Sequence, residues 1–149
     1  WSLSHSAAST VIYALYALGW LVLLYATFLV DHFDLFGLRQ IWFHLRGREY
    51  VSPTFTRRQA YQWVRHPIYL GWLIIVWATP TMTLAHLVFA GATTAYIFIA
   101  IVFEERDLVD AHPEYETYRQ RVPMIFPSPR RRWRAGDDQT AAKASEAAA

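Results

Sequence analysis

The run from Ile68 to Phe103 contains no Asp, Glu, Lys or Arg, and it lies between Arg65-His66-Pro67 and Glu104-Glu105-Arg106-Asp107. As one straight helix rising about 1.5 Å per residue it would measure roughly 54 Å, nearly twice the roughly 30 Å hydrocarbon core of a bilayer. It therefore has to bend. Thr79-Pro80-Thr81-Met82-Thr83 holds the only proline of the run and hydroxyls that can satisfy the backbone groups a break would free. Thr83 is placed to cap the second arm. The pattern predicts a helical hairpin over 68–103, with a short arm of about 12 residues and a long one of about 20, whose charged ends face each other. Ala90, Gly91, Ala92 and Ala95 on the long arm suit close helix packing.

Val11 to Val30 is a second apolar run of spanning length. Hydrophobic residues make up 54% of the 149-residue chain, above the roughly 45–50% usual for soluble domains. The expected class is an all-α polytopic membrane protein. One transmembrane helix over 11–30 and interfacial segments over 35–64 precede the proline-broken hairpin. A cytoplasmic cap over 104–129 completes a membrane domain of residues 1–129, and a disordered tail occupies 130–149. A signal peptide does not fit Val11 to Val30, because no positive residue precedes it and no small-residue cleavage site comes after it. All 14 Lys and Arg residues lie after Val30, on both flanks of the hairpin. By the positive-inside tendency both flanks belong on the cytoplasmic side. The first residue is Trp1 and not Met, so the chain reads as a processed or trimmed piece of something longer.

Local signals fill in the order. Asp31-His32-Phe33-Asp34 ends the first helix, and Leu35 to Leu45 suits a helix lying in the interface. Gly47 and Pro53 break it, and Thr54 to Val64 suits a second interfacial or entering helix. Pro67 reads as the first residue of the next helix. Beyond Phe103 a helix should run to about Asp110 before His112-Pro113 stops it. Tyr115 to Arg121 is a short helix, and Val122 to Pro127 is an extended apolar strap.

There is no cysteine, which excludes disulfides, thiolate metal sites and a cysteine nucleophile. Sulfur chemistry must come from a substrate or cofactor. Asp31, His32 and Asp34, with the scattered His5, His44, His86 and His112, lack a ligand spacing, so no metal is expected. No nucleic-acid partner is expected either; the partners are the bilayer and a small ligand.

Arg65-His66 and Glu104-Glu105 stand at the two wet ends of one hairpin. Charges there also serve as plain anchors, and surface pairs contribute only about 0–1 kcal/mol. Against that, a His-Pro helix start offers a titratable ring beside backbone N–H groups. Adjacent glutamates repel unless a cation sits between them. Tyr115-x-x-Tyr118-Arg119 returns beside both. Such a pocket suits a zwitterion with a positive centre: carboxylates and aromatic faces hold the cation, while Arg65, Arg119 and helix N-termini hold a carboxylate.

Arg-His-Pro-x-Tyr at Arg65 to Tyr69, Glu104-Glu105, Tyr115-x-x-Tyr118 and the Val122-Pro123 strap together resemble the isoprenylcysteine carboxyl methyltransferase and phospholipid methyltransferase superfamily. Within it, Asp31 to Gln40, Trp77 to Thr83 and Glu104 to Leu108 resemble the methanethiol S-methyltransferase group. The resemblance covers Thr27 to Pro127. It implies a membrane enzyme that uses S-adenosylmethionine to methylate a small thiol, in a bacterial cytoplasmic membrane with its site on the cytoplasmic side. It also implies that the chain corresponds to the C-terminal, catalytic part of longer relatives.

Carried over by residue, the resemblance makes Arg65, His66, Pro67, Tyr69, Glu104, Glu105, Tyr115, Tyr118 and Arg119 the cofactor-binding set. His66, Glu105 and His32 are then the candidates for catalysis, with His32 on the acceptor side. Two alternatives stay open: a methyltransferase acting on a prenylcysteine carboxylate or a lipid amine, and a non-catalytic accessory protein of the nitrite and nitric oxide reductase type.

Overall fold

The charge-free run breaks at its proline-bearing turn. The structure is a computed structural model describing residues 1–3, 7–29, 37–49, 59–112, 114–134 and 137. Among these it is all-helical: α1 (Ala7–Leu29), α2 (Leu38–Leu45), a 3-10 turn (Gln59–Gln62), α3 (Pro67–Trp77), α4 (Leu84–Ala111) and α5 (Glu114–Arg121). The described residues hold no strand, only two isolated bridges.

Pro67 opens α3 because the N–H that proline lacks would have no acceptor within the first turn of a helix. Thr83 closes the turn as expected: its backbone is extended and its hydroxyl accepts the His86 N–H at 3.1 Å. Side chains then tie the two arms together. His86 Nε2 lies 2.8 Å from the Val76 carbonyl oxygen, and Trp77 Nε1 donates to Thr94 Oγ1 at 3.0 Å. At the same end Trp1 to Leu3 clasps the turn, with Leu3 N–H on the Pro80 carbonyl at 2.8 Å and Met82 N–H on the Trp1 carbonyl at 2.9 Å.

α3 packs most extensively against α1, not against α4. Two glycines decide this. A Cβ at Gly71 would lie 2.8 Å from both the backbone N and the Cβ of Leu23, and one at Gly19 would lie 2.9 Å from Ile74. Backbone therefore meets backbone at this crossing. The close packing expected at Gly91 is not there, since nothing lies within 4 Å of its would-be Cβ. Ala90 beside it is buried.

α1 and α4 are long and apolar enough to cross a bilayer, and only 22% and 17% of their most apolar windows is buried. A core helix of a soluble fold would be mostly enclosed, whereas these turn Leu, Val and Phe outward. α3, at 11 residues, is about 17 Å long and sits between them in the chain.

Some boundaries differ from expectation. α1 begins at Ala7 and not at Val11, whereas α4 continues past its acidic cluster to Ala111, within one residue of the expected end. Of the helix expected over 54–64, residues 54–58 lie outside the described residues, and the rest is a single 3-10 turn that starts at Gln59 with φ 52°. Asp31 to Phe36 also lie outside them. Residues 130–134, grouped with the tail by composition, are held in place. Trp133 is 3% exposed, packs with Tyr115, Tyr118 and Val122, and donates its N–H to the Gln62 carbonyl at 2.9 Å.

The glycine crossing yields a matched test. Gly71→Ala must push backbone apart and should cost about 1–3 kcal/mol, read as a lower thermal unfolding midpoint. Gly91→Ala meets open space and should leave the midpoint unchanged or raise it.

Candidate active site

Ala90, Ile97, Ile101 and Glu105 form the buried stripe of α4, so helical periodicity carries the Glu105 carboxylate inward on the same face as the isoleucines. At 6% exposure it needs compensation. It finds a guanidinium and an imidazole. Glu105 Oε1 lies 2.9 Å from His66 Nε2 and 3.0 Å from Arg65 Nη1. Glu104, more exposed, places Oε2 3.7 Å from His66 Nδ1, so a carboxylate faces each nitrogen of the ring. Tyr69 stacks on His66 with ring centroids 5.6 Å apart.

The strap from Val122 to Ile125 seats this cluster. Arg65 N–H donates to the Pro123 carbonyl at 2.9 Å and His66 N–H to the Met124 carbonyl at 3.1 Å. Ile125 meanwhile packs with Ile97 and Ile101 one turn below Glu105. The N–H groups expected to be open at the His-Pro start are thus partly spent on the strap. Arg65 is not fully satisfied. Its side chain is 8% exposed, yet Nε and Nη1 have no hydrogen-bond partner, because the contact to Glu105 is close in distance but poorly aligned.

Beside Glu105 lies a groove of about 330 Å³, lined by Val102, Glu105, Arg106, Val109, Asp110 and Arg119. Arg119 also pairs with Glu116 at 2.9 Å. Tyr115 and Tyr118 are almost wholly buried, with rings 5.4 Å apart, and the Tyr118 hydroxyl donates to the Tyr61 carbonyl at 2.6 Å. They anchor α5 more than they line the groove. Burial pushes the Tyr115 phenol up, and Glu105 and Glu104 push it further; burial and then Glu104 do the same to Tyr61.

The structure thus brings Arg65, His66, Tyr69, Glu104 and Glu105 into one cluster, with buried Pro67 beneath it and Arg119 on the adjoining groove wall. His32 lies outside the described residues. Among the described residues no group of three or more His, Asp or Glu is placed to hold a metal ion. Sequence reasoning missed Tyr61, the strap carbonyls and Trp133. The lone Trp inside Arg130-Arg131-Arg132-Trp133-Arg134 was the available signal.

The sequence is similar to those of known proteins over most of its length. The chain is 50% identical over 128 residues to a methanethiol S-methyltransferase of Crocosphaera subtropica, a match covering 85% of the chain and 50% of that protein. It is 46% identical over 132 residues to the protein of that name from Mycobacterium tuberculosis, covering 88% and 54%. This chain is similar to methanethiol S-methyltransferases. It spans about half the length of these curated relatives. A Nurim homolog of Drosophila pseudoobscura pseudoobscura is 31% identical over 97 residues, covering 62% of the chain and 38% of that protein. No family model matches the chain, and no solved structure matches it significantly.

The buried charges lead to two expected outcomes. Glu105→Ala strands Arg65 in the interior and should destabilise the fold by about 3–5 kcal/mol, measured by denaturant titration; Glu105→Gln should cost less. The folded state keeps the Tyr61 and Tyr115 phenols protonated, while an unfolded tyrosine ionises near pH 10. The folded chain therefore binds more protons above that pH, and stability falls as pH rises past about 10. Tyr115→Phe should flatten that alkaline loss in a melting series.

Proposed function

We propose that this chain carries out S-adenosylmethionine-dependent methylation of a small thiol, converting methanethiol to dimethyl sulfide, within a membrane. The observation that carries the proposal is the buried Arg65–His66–Glu105 cluster, in a chain that shares about half of its aligned residues with proteins named for that reaction. Arg65 Nε, which has no hydrogen-bond partner, and Nη1, which pairs with Glu105 at 3.0 Å without an aligned hydrogen bond, are buried donors that suit a carboxylate. Glu104, Glu105 and the faces of His66 and Tyr69 suit a sulfonium or ammonium centre. Arg65, His66, Pro67, Tyr69, Glu104, Glu105 and Arg119 would hold the cofactor, with Tyr115 and Tyr118 supporting them through α5. When bound, S-adenosylmethionine supplies a sulfonium-activated methyl group.

The chain's own work is to position, to dry and to deprotonate. A small thiol is mostly protonated near neutrality and must lose its proton before it attacks. Glu105 accepts the His66 Nε2–H, which leaves Nδ1 as the nitrogen able to take that proton. The resulting imidazolium faces Glu105 on one side and Glu104, at 3.7 Å, on the other. His66 and Glu105 are buried, and a site shielded from water favours a step in which opposite charges cancel. His32 and its neighbours would shape the acceptor side.

In the membrane, α1 and α4 would span and α3 would form the short arm of the hairpin. The arginine-bearing flanks would lie on the cytoplasmic face of a bacterial membrane, with residues 104–129 as its cap.

The test is headspace detection of dimethyl sulfide from methanethiol and S-adenosylmethionine, with S-adenosylhomocysteine binding measured beside it. His66→Ala and Glu105→Gln should each lower turnover by about 10²–10⁴-fold. Arg65→Met should weaken S-adenosylhomocysteine binding. Transfer confined to a prenylcysteine carboxylate or a lipid amine would remove the thiol assignment. Absence of S-adenosylhomocysteine binding would remove methyl transfer altogether.

A further inference from the structure

A second charged feature lies apart from the His66 cluster. Arg121, Arg130, Arg131, Arg132 and Arg134 surround a recess of about 420 Å³ that they share with Asp137. Asp137 pairs with Arg121, which offsets one of the five charges. Three of these guanidinium groups are held partly by neutral partners. Arg131 Nη2 donates to the Gln120 carbonyl at 2.7 Å, Arg132 stacks over the Trp63 ring at 5.0 Å, and Arg121 lies 6.0 Å from the Trp133 ring centre. Such contacts fix direction without cancelling charge, so the recess is a preformed cradle for a multiply hydrogen-bonded anion.

Its position identifies the anion's source. Trp133 N–H holds the Gln62 carbonyl, and Trp63 comes immediately after, four residues before α3 begins its apolar course at Pro67. Trp63 is 41% exposed and Phe126, two residues before the Ser128–Arg131 bridge, is 74% exposed. Exposed aromatic rings add nothing to the capture of a free anion in water. They suit a surface where headgroup phosphates lie above an acyl boundary.

We propose that this recess binds the phosphate of an anionic phospholipid headgroup, with Trp63 and Phe126 resting at the acyl boundary beneath it. The site rests on the membrane placement proposed above and is independent of methyl transfer.

The experiment is titration of the whole chain, purified in neutral detergent, with short-chain phosphatidylglycerol or phosphatidylcholine, read by native mass spectrometry. Phosphatidylglycerol should bind at least about tenfold more tightly. The Arg130→Gln/Arg134→Gln variant, which leaves the Gln120 and Trp63 contacts intact, should lose about that factor for phosphatidylglycerol alone. An Arg46→Gln/Arg48→Gln variant should lose none, and circular dichroism confirms that each variant is folded. Equal affinity for the two lipids, or unchanged phosphatidylglycerol binding in the Arg130/Arg134 variant, overturns the site. Displacement of the lipid by equimolar inorganic phosphate overturns its assignment to a lipid headgroup. Dimethyl sulfide is not measured at any point, so the outcome is separable from that of the methyl-transfer assay.

Discussion

A carboxylate carried into an apolar interior by helical periodicity must be compensated, and Glu105 sets that requirement for everything around it. One oxygen answers to both His66 and Arg65, so the start of α3 has to sit beside the charged C-terminal part of α4. That closeness is secured elsewhere. The strap holds the backbone of Arg65 and His66 while Ile125 packs against the isoleucines of α4, so the polar contact inherits its geometry from apolar packing. Compensation is nevertheless incomplete at Arg65, whose inner nitrogens lack hydrogen bonds. Buried donors without an aligned acceptor are rare in a settled structural ion pair, and that shortfall is the feature on which the proposed ligand role rests.

Much of the architecture was legible because few residue types can do what these positions require. An uncharged run too long for one crossing must turn, and a single proline flanked by threonines says where. A proline after a histidine marks a helix start. Paired glutamates at the far end of the run say where the partner of that histidine should be sought. These signals are local, and each names its own cause.

What stayed illegible is non-local. Gly19 and Gly71 are unremarkable within their own helices, and only their meeting explains why α3 lies against α1. Tyr115 and Tyr118 carry the same residue types whether they face a ligand or a core, and the structure puts both in the core with Trp133. Trp133 sits in a charged run whose composition reads as tail, yet its ring finds a pocket between α5 and the turn before α3. The stretch around His32 lies outside the described residues.

The strap has a consequence for how the protein is made. The carbonyls that seat Arg65 and His66 belong to Pro123 and Met124, which leave the ribosome well after the hairpin they complete. During synthesis the acidic end of α4 and the basic start of α3 can therefore be adjacent before either is fixed. Their register is completed only when that later segment emerges, so both apolar arms are made before the contacts that seat Arg65 and His66 can form.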